Sequence, residues 1–307
     1  MKWFAVLVVL AILAGCSYLP GGGGGTVSGG GHIDVSAITG TRGVIIEWVP
    51  EPPKTVGEDQ PFALNFIIRN AGASDSLIGW SMQLSPQPPI VSSSDQLDGR
   101  FELVGREFQD EVGAEMPITL NMRSGNVYLP RQQAQDADVR VNLCYEYTTK
   151  AGVQVCVDTT LGQGSPLSGK CEKKATETVS RGQGGPIAVT KVEVKPYSLN
   201  DIEVGAEVLF TIENKGGGSV DFECAGGIAG PTNIVRVEKA ALGSRLLNCV
   251  PTDIVMQQGS DAKPPVVRCS LAEGISKSQG IFDSVAQLEL RYGYKTVDKK
   301  TIKVERR

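Results

Sequence analysis

Two segments of this chain end in the same strand pattern, 147 residues apart. Residues 141–149 (VNLCYEYTT) and 288–296 (LELRYGYKT) each carry two tyrosines with one residue between them. The strands that open each copy, residues 62–72 and 208–216, also match, at an offset of 144 residues. Unrelated strands share an alternation of apolar and polar residues, but not a similar offset at both ends. The sequence therefore predicts a duplicated unit with small insertions between the copies.

Each copy has the pattern of β-strands. Apolar residues alternate with polar ones through residues 139–147, through residues 288–294 and, with one break, through residues 189–194. A period of two places the apolar side chains on one face of a strand. Because that face must be buried, every such strand is expected to lie in a sheet that packs against a second layer.

Turn residues divide the strands. Asn and Gly follow the opening strands at residues 70–72 and 214–218, where they tolerate the positive φ of a turn. Residues 150–152 and 297–299 are expected to be turns that close the final hairpin of each copy. The polar, Gln-rich residues 131–138 are the best candidate for a short helix.

The predicted fold class is all-β, with two tandem immunoglobulin-like antiparallel β-sandwiches of about seven short strands each. They follow a signal peptide and a flexible Gly-rich tether. The expected organisation is a lipoprotein signal peptide (1–15), a lipidated cysteine and Gly-rich tether (16–42), a first sandwich (43–160), a linker (161–186) and a second sandwich (187–307).

The first sixteen residues have the form of a secretion signal. One positive charge at Lys2 precedes the apolar residues 3–12, and small residues then lead to Cys16. Because Leu-Ala-Gly-Cys ends the apolar run, the segment resembles a prokaryotic lipobox, in which Cys16 becomes the lipidated mature N-terminus. A spanning helix needs about 20 apolar residues, so a transmembrane anchor is disfavoured. A signal that is simply cleaved is the alternative.

The segment after Cys16 is predicted to be a flexible tether. It includes five consecutive glycines at residues 21–25, and a composition this poor in large apolar side chains does not offset the entropy of ordering. The only histidine of the chain, His32, lies in the tether. Without partner ligands nearby, His32 has the character of a solvated spacer residue and not of a metal ligand.

The charge of the chain argues against nucleic acid as a partner. Cleavage before Cys16 removes Lys2 and leaves 29 basic and 34 acidic side chains, a net charge of −5. This mild negative charge supports solubility and provides no cationic surface for nucleic acid or anionic lipid.

Six cysteines remain when Cys16 is set aside, and an even number in an exported chain favours disulfides. No Cys-x-x-Cys pair occurs, so a zinc or iron–sulfur site has little support. Two local pairs are favoured, Cys156 with Cys171 and Cys249 with Cys269, each worth about 3 kcal/mol in the chain-entropy account.

Cys144 and Cys224 are then left over. If they pair, the bridge ties the two copies together and sets their relative angle. If they do not, both are expected to be buried thiols, since neither has the surroundings of a reactive nucleophile.

No catalytic arrangement is apparent in the body. With His32 in the tether, no Ser-His-Asp, Cys-His or histidine–zinc site can be assembled there. Neither a Gly-x-Ser-x-Gly elbow nor a phosphate-binding loop occurs. Residues 260–263 match the Ser-x-x-Lys pattern of penicillin-binding enzymes, but they precede two prolines and no Lys-Thr-Gly follows. We therefore expect a protein that is not an enzyme and that needs no cofactor or metal.

Residues 95–115 hold seven acidic side chains and only two arginines. Calcium sites in surface β-proteins are built from such oxygens. No Asp-x-Asp-x-Asp spacing occurs, however, and the alternation at Phe101 and Leu103 favours the solvated face of a strand.

Several motifs carry a resemblance to a known family. A Val-Gly-acid step at residues 56–58 and 204–207, and strands ending in Asn-x-Gly, resemble the CARDB and related immunoglobulin-like modules of prokaryotic surface proteins. The whole chain is similar to archaeal surface lipoproteins with a lipobox, a Gly-rich tether, a first module ending in Cys-Tyr-x-Tyr (144–147) and a linker near residues 182–192. The resemblance implies an adhesion, envelope or assembly module without catalytic residues.

The expected function follows from these features. We expect an extracytoplasmic surface lipoprotein, anchored to the membrane by lipid on Cys16, that binds a protein or glycan of the cell envelope without catalysis. Binding would use loops at the sandwich ends or strand addition at a sheet edge. One rival is a self-associating structural envelope subunit of the S-layer type. Another is an enzyme that uses carboxylates alone, such as a glycosidase.

Overall fold

The computed structural model describes residues 38–86, 90–93, 96–107, 111–128, 131–161, 171, 176–225, 232–257 and 263–306. The leader, Cys16 and His32 lie outside these residues, so the predictions made for them remain predictions. Within the described ranges the regular secondary structure is almost entirely β-strand, mostly in antiparallel pairs, and the all-β class is confirmed.

The strands of the first copy are β1 (Val44–Trp48), β2 (Thr55–Gly57), β3 (Pro61–Asn70), β4 (Ser76–Leu84), β5 (Ile90–Ser92), β6 (Asp98–Leu103), β7 (Glu115–Ser124) and β8 (Ala134–Asp158). Those of the second copy are β9 (Glu177–Thr178), β10 (Ile187–Ser198), β11 (Glu203–Asn214), β12 (Ser219–Val220), β13 (Ile234–Leu242), β14 (Arg245–Val250), β15 (Asp253–Val255), β16 (Val266–Leu271), β17 (Ile275–Ser276) and β18 (Ile281–Glu305). Single-turn 3-10 helices lie at Phe222–Ala225 and Lys277–Gln279.

The described strands form two sheets. The smaller has the order β1-β3-β7-β5, and the larger has the order β6-β4-β8-β18-β13-β14-β16-β11-β10-β9. Four short strands join the larger sheet beside this path, and one of them, β2, pairs in parallel with the end of β18. Strands β8 and β18 therefore lie at the centre of the larger sheet, between the strands of the first copy and those of the second.

Two very long strands dominate the larger sheet. Strands β8 and β18 each have 25 residues and pair in antiparallel register along their whole length. The prediction of turns at residues 150–152 and 297–299 is therefore wrong, because both segments lie inside these strands. The physical reason is that burial with a period of two continues past them, at Ala151, Val153, Val155 and Val157 in β8 and at Ile302 and Val304 in β18.

The helix considered for residues 131–138 is also wrong. Residues 134–138 form the beginning of β8, where Ala137 is fully buried and pairs with Ile302. The polar composition that suggested a helix belongs to the solvated face of a strand, since alternate residues here face outward.

The two layers of the first copy meet in an aromatic contact. Phe66 of β3 lies between Trp48 of β1 and Trp80 of β4, with ring centroids 5.1 and 5.8 Å away. Because Phe66 belongs to the smaller sheet and Trp80 to the larger, this contact joins the sheets face to face. The buried apolar side chains of both copies belong to one continuous cluster.

Three disulfides link the described residues. Cys156 bonds to Cys171, and Cys249 bonds to Cys269 across the strands β14 and β16. These are the two local pairs favoured by the sequence. The third disulfide joins Cys144 in β8 to the 3-10 helix at Phe222–Ala225, through Cys224, and so ties the first copy to the second.

Candidate functional site

Four tyrosines lie side by side where the two copies meet. Tyr145 and Tyr147 of β8 face Tyr294 and Tyr292 of β18, with ring centroids 5.7 and 6.1 Å apart. All four side chains are buried. Alternate positions on two paired strands point to one face, which is why the Tyr-x-Tyr motif of each copy delivers both rings to the same place. We call this group the tyrosine cluster.

The turns that follow the opening strands pack against the tyrosine cluster, and their bonding is duplicated. Asn70 donates to the carbonyl of Ser74 (2.8 Å) and accepts from the N–H two residues further on (3.2 Å). Asn214 repeats both contacts, with the carbonyl of Gly218 (2.8 Å) and the N–H two residues on (3.1 Å). Tyr294 also donates to the Asn214 side chain (2.7 Å). The duplication predicted from sequence thus extends to individual hydrogen bonds.

The tyrosine hydroxyls bond to these turns at equivalent positions. Tyr147 accepts a hydrogen bond from the N–H of Ser74 (3.1 Å), and Tyr294 accepts one from the N–H of Gly218 (2.9 Å). The two tyrosines differ in the group to which they donate. Tyr294 donates to the Asn214 side chain, whereas Tyr147 donates to the carbonyl of Gly184 (2.8 Å), a residue of the linker before β10. The linker therefore lies against the turn of the first copy.

A second hydroxyl group holds the start of β10. Tyr292 accepts from the N–H of Ile187 (3.3 Å) and shares a hydrogen bond with Thr149 (2.7 Å). Thr149 donates to the carbonyl of Ile187 (2.9 Å). Both polar groups of one backbone residue are thereby paired in a buried position.

The surroundings hold the tyrosines in the neutral form. Burial raises the pKa of Tyr147 to about 12 and raises the pKa of Tyr145 and of Tyr292 well above the usual value. The neighbouring Tyr292 and Tyr294 add to the rise in the pKa of Tyr145. These hydroxyls are therefore fixed hydrogen-bonding groups at neutral pH, and their chemistry is structural.

The linker covers the tyrosine cluster on the side of the first copy. The buried carboxamide of Gln183 donates to the carbonyl of Val189 (3.0 Å) and accepts from its N–H (2.9 Å), as a paired strand would. The next residue, Gly184, accepts from the N–H of Ala73 (2.7 Å). As a result the turn of the first copy is covered, and Asn70 is fully buried.

On the other side of the cluster lies an open cleft, which we call the β1 cleft. Its volume is about 300 Å³, and it is bounded by the start of β1, the turn at residues 216–217 and residues 296–298 of β18. The Thr296 hydroxyl is buried and has no hydrogen-bond partner among the described residues. Trp48 donates from its indole N–H to Asp298 (3.0 Å) beside the cleft.

A larger and more open groove lies between the edges of β6 and β7. It has a volume of about 440 Å³ and is lined by the apolar side chains of Trp80, Phe101, Met116 and Ile118. Strand β6 is the outer strand of the larger sheet. The groove offers an apolar and aromatic surface, whereas the β1 cleft offers unpaired polar groups in a fixed arrangement.

The other residues singled out in the sequence have plain structural surroundings. The described acids of residues 95–115 are exposed, among them Glu102, Glu107 and Glu111. In the part of the chain that the structure describes, no three side chains of the metal-binding types come together. The Ser-x-x-Lys match begins at Ser260, which lies outside the described residues.

Sequence reasoning missed the two residues that distinguish the sides of the tyrosine cluster, Gln183 and Thr296. Thr296 and Thr149 occupy the same position in the repeated strand ending. Because the residue type is the same in both copies, the sequence does not indicate that only the Thr149 hydroxyl forms hydrogen bonds to described residues. Gln183 was part of the linker, and its flanking glycines were the only signal of a tightly packed segment.

Comparisons with known proteins leave the chain without an assigned family. It matches no known protein-family profile and no curated protein. The C-terminal globular domain of an oligosaccharyltransferase from Pyrococcus abyssi aligns with 87% of this chain and 50% of its own length, at 9% identity and a TM-score of 0.15. The chain thus spans half of that structure, and a likeness of this size carries no argument about fold or function. None of the helices in the described part of the chain has the length and hydrophobicity needed to cross a bilayer.

Proposed function

We propose that this protein is an extracytoplasmic lipoprotein, anchored to the membrane by lipid on Cys16, that binds a protein or glycan of the cell envelope without catalysis. The charged and apolar leader that ends in Leu-Ala-Gly-Cys supports the anchor. The three disulfides are typical of a chain that folds in an oxidising compartment.

For the fold, we propose two immunoglobulin-like sandwiches that share their central strands. The face-to-face layers and the repeated Asn-x-Gly turns support this description and the resemblance to CARDB modules. Sharing β8 and β18 makes the two sandwiches one rigid body, which suits a module that presents a surface to a partner.

The open edge of β1 is the observation that carries the binding function. Strand β1 pairs with β3 on one side, and no described strand pairs with its other side. An exposed strand edge recruits an extended segment by strand addition, and the β1 cleft lies along this edge. The same edge favours a second candidate, a structural subunit that pairs with copies of itself.

The membrane anchor is tested by Cys16→Ser in the native cell. We expect the unchanged protein to fractionate with the membrane and Cys16→Ser to lose its acyl modification and leave the membrane fraction. Recovery of the unchanged protein in the cell interior, with reduced cysteines, would overturn the proposal.

The binding role is tested by cross-linking the protein in intact cells and purifying it from its own membrane. A single envelope component recovered in constant proportion, with a monomeric purified protein, is the expected result. Concentration-dependent oligomers without a foreign component would instead support the structural subunit. Glycan cleavage that is lost on single carboxylate substitutions would support the carboxylate enzyme.

A further inference from the structure

The hydrogen bonds between β1 and β3 show which backbone groups of β1 face the cleft. The N–H of Ala71 donates to the carbonyl of Gly43 (2.9 Å), and the N–H of Val49 donates to the carbonyl of Asn65 (3.1 Å). Hydrogen-bonded pairs alternate along an antiparallel ladder. The odd-numbered residues of β1 therefore bond to β3, and Ile46 directs its N–H and carbonyl to the open edge. Neither group has a partner among the described residues.

The second copy contains the same edge in a filled state. Strand β10 pairs with β11 as β1 pairs with β3, with Ile187 opposite Asn214 and Val44 opposite Asn70. Counting from these pairs, the equivalent of Ile46 is Val189. The outward N–H and carbonyl of Val189 are both paired with the carboxamide of Gln183.

The turns that follow β3 and β11 also differ in whether their backbone groups are paired. In the first copy the N–H of Ala73 donates to the carbonyl of Gly184. The equivalent residue in the second copy, Gly217, borders the β1 cleft, and its N–H has no partner among the described residues. Asn70 beside the filled site is fully buried, whereas Asn214 beside the cleft is exposed.

The threonines complete the comparison. Thr149 is buried with two hydrogen-bond partners, Ile187 and Tyr292. The hydroxyl of its equivalent, Thr296, is buried beside the cleft without a partner among the described residues. The Gln183–Gly184 segment thus pairs both backbone groups of Val189 and the N–H of Ala73, and the equivalent groups at Ile46 and Gly217 have no partner among the described residues. The Tyr147 hydroxyl, which also bonds to Gly184, is the exception, because its equivalent Tyr294 donates to Asn214.

We propose that the β1 cleft binds an extended peptide segment of a partner protein, and that a glutamine of this segment pairs its carboxamide with the N–H and carbonyl of Ile46. The carbonyl of the next residue accepts from Gly217. The segment 183–185 of this chain, Gln-Gly-Gly, is the internal template for the ligand, and the inference rests on the binding function proposed above.

The segment 183–185 also indicates which residues the ligand should have after its glutamine, namely glycines. A Cβ on Gly184 would come within 2.5 Å of the Ala73 side chain, and one on Gly185 would come within 2.4 Å of the Thr149 hydroxyl. The second of these contacts has its equivalent at Thr296 in the cleft, so we expect glycine at the corresponding ligand position. The cleft volume of about 300 Å³ is at the small end of ligand sites, which also favours small residues.

The described residues that precede β1, 38–43, do not cross the open side of the cleft. Gly40 donates to the carbonyl of Arg181 (2.7 Å), and Arg106 donates to the carbonyl of Thr39 (2.7 Å). These contacts direct the described residues before β1 along the linker and toward the loop after β6. Because the Gln183–Gly184 segment fills the equivalent site as an extended segment, an extended peptide of a partner protein is the occupant that we propose for the cleft.

The test is a titration of the full-length protein in detergent with the peptide acetyl-Arg-Gly-Gln-Gly-Gly-Pro-Ile-amide, the sequence of residues 181–187. The readout is the indole N–H resonance of Trp48, which donates to Asp298 beside the cleft, and the Trp80 resonance is the internal control. We expect a saturable shift of the Trp48 signal only. The peptide with Gln183→Ala is expected to bind about tenfold more weakly, since it loses two hydrogen bonds.

Two protein variants locate the site. Ile46→Pro removes the edge N–H without removing a bond to β3, and proline is tolerated on such an edge. We expect it to weaken peptide binding at least about tenfold, while Ile46→Val, which keeps the N–H, binds as the unchanged protein does. If Ile46→Pro does not fold, Thr296→Leu serves instead, since a larger side chain would occupy the space that the second glycine of the template takes beside Thr149, and we expect it to weaken peptide binding at least about tenfold.

Three results of the peptide titrations would overturn the inference. They are no saturable shift of Trp48, equal affinity for the two peptides, and full binding to Ile46→Pro. A dimer of the full chain that dissociates on Ile46→Pro would place a second copy in the cleft and would also overturn it. If the peptide fails to bind while the envelope component still co-purifies, the binding function stands without this site. If the peptide binds but no envelope component is recovered, the site stands and the proposed function fails.

Discussion

Glu146 of β8 lies directly opposite Gly293 of β18, and these two residues occupy the same position in the two copies, 147 residues apart. A local twofold axis therefore passes between them. Tyr145 pairs with Tyr294 and Tyr147 pairs with Tyr292 in the reciprocal way that a symmetric dimer requires. The protein has the architecture of a dimer whose subunits pair along their longest strands, contained in one polypeptide.

The first prediction concerns the hydroxyl of Tyr147. Its removal by Tyr147→Phe leaves the N–H of Ser74 unpaired and takes away one of the two hydrogen bonds to the carbonyl of Gly184, which keeps the bond from Ala73. We expect the free energy of unfolding to fall by about 1–3 kcal/mol in a urea titration. Tyr128→Phe, at a side chain with 62% exposure, is the control and is expected to change it by less than about 0.5 kcal/mol. Equal effects of the two substitutions would contradict this account.

The two equivalent threonines are predicted to respond differently to the same substitution. Thr149→Val removes a hydroxyl with two partners and should cost about 1–3 kcal/mol. Thr296→Val removes a buried hydroxyl without a partner among the described residues, so stability should be unchanged or higher. Thermal unfolding of both variants measures the difference, and a larger loss for Thr296→Val would be inconsistent with an open cleft.

A third prediction compares two glycines. A Cβ at Gly72 would lie 1.8 Å from the Tyr147 hydroxyl and 2.5 Å from the carbonyl of Gly184. Gly72→Ala should therefore destabilise the protein by about 1–3 kcal/mol or more, because neither neighbour has room to move. Gly79→Ala in β4 is the matched control, since its new Cβ would meet only the carbonyl of Cys144 at 3.5 Å. We expect that variant to be as stable as the unchanged protein or more so, as measured by urea unfolding.

Two of the disulfides are predicted to differ in their contribution to the free energy of unfolding. The Cys144–Cys224 bond spans 80 residues of sequence and the Cys249–Cys269 bond spans 20. In the chain-entropy account, replacing both cysteines of the first bond by serine should cost about 4 kcal/mol, and replacing both of the second about 3 kcal/mol. Denaturant unfolding of the two double variants gives the order, and a larger loss for the shorter loop would count against it.

Alkaline pH provides a fifth prediction. The pKa of Tyr147 is raised to about 12 from an ordinary value near 10. As the pH rises, the Tyr147 hydroxyl loses its proton later in the folded protein than in the unfolded chain. The contribution of this difference to the free energy of unfolding is therefore complete below pH 10 and is lost as the pH rises toward 12. For this residue the loss amounts to about 3 kcal/mol. The free energy of unfolding should thus fall above about pH 10.

The control for the alkaline experiment is Tyr147→Phe, which lacks the titrating group. Its stability should fall less steeply between pH 10 and pH 12 than that of the unchanged protein. Tyr145 and Tyr292 contribute in the same direction in both proteins, since burial raises their pKa as well. If the free energy of unfolding fell equally steeply with pH in the two proteins, burial would not raise the pKa of Tyr147 as described.

Much of the fold could be predicted because the relevant signals are local. Alternation identified the strands, and the repeated Tyr-x-Tyr and Asn-x-Gly motifs identified the duplication that reappears in the bonds of Asn70 and Asn214. The length of β8 could not be predicted, because residues 150–152 are lysine, alanine and glycine and have the composition of a turn. Pairing with β18 over the whole length outweighs that local preference.

The candidate site could not be predicted from the sequence for a different reason. The β1 cleft arises because one linker covers one side of a symmetric junction and leaves the other side open. The covered side is held by the two hydrogen bonds between the Gln183 carboxamide and the backbone of Val189, and no sequence pattern specifies a contact of this kind. The equivalent edge at Ile46 has almost the same local sequence pattern, so only the three-dimensional arrangement distinguishes them.

The most direct test of the shared central strands is to cut the chain between the copies. A protease site is inserted between Lys173 and Lys174, in protein that also carries Cys144→Ser and Cys224→Ser so that no disulfide joins the pieces. We expect the two pieces to elute together after cleavage at the size of the uncut protein and to unfold in one thermal transition. Two separate, folded monomers with independent transitions would contradict the account.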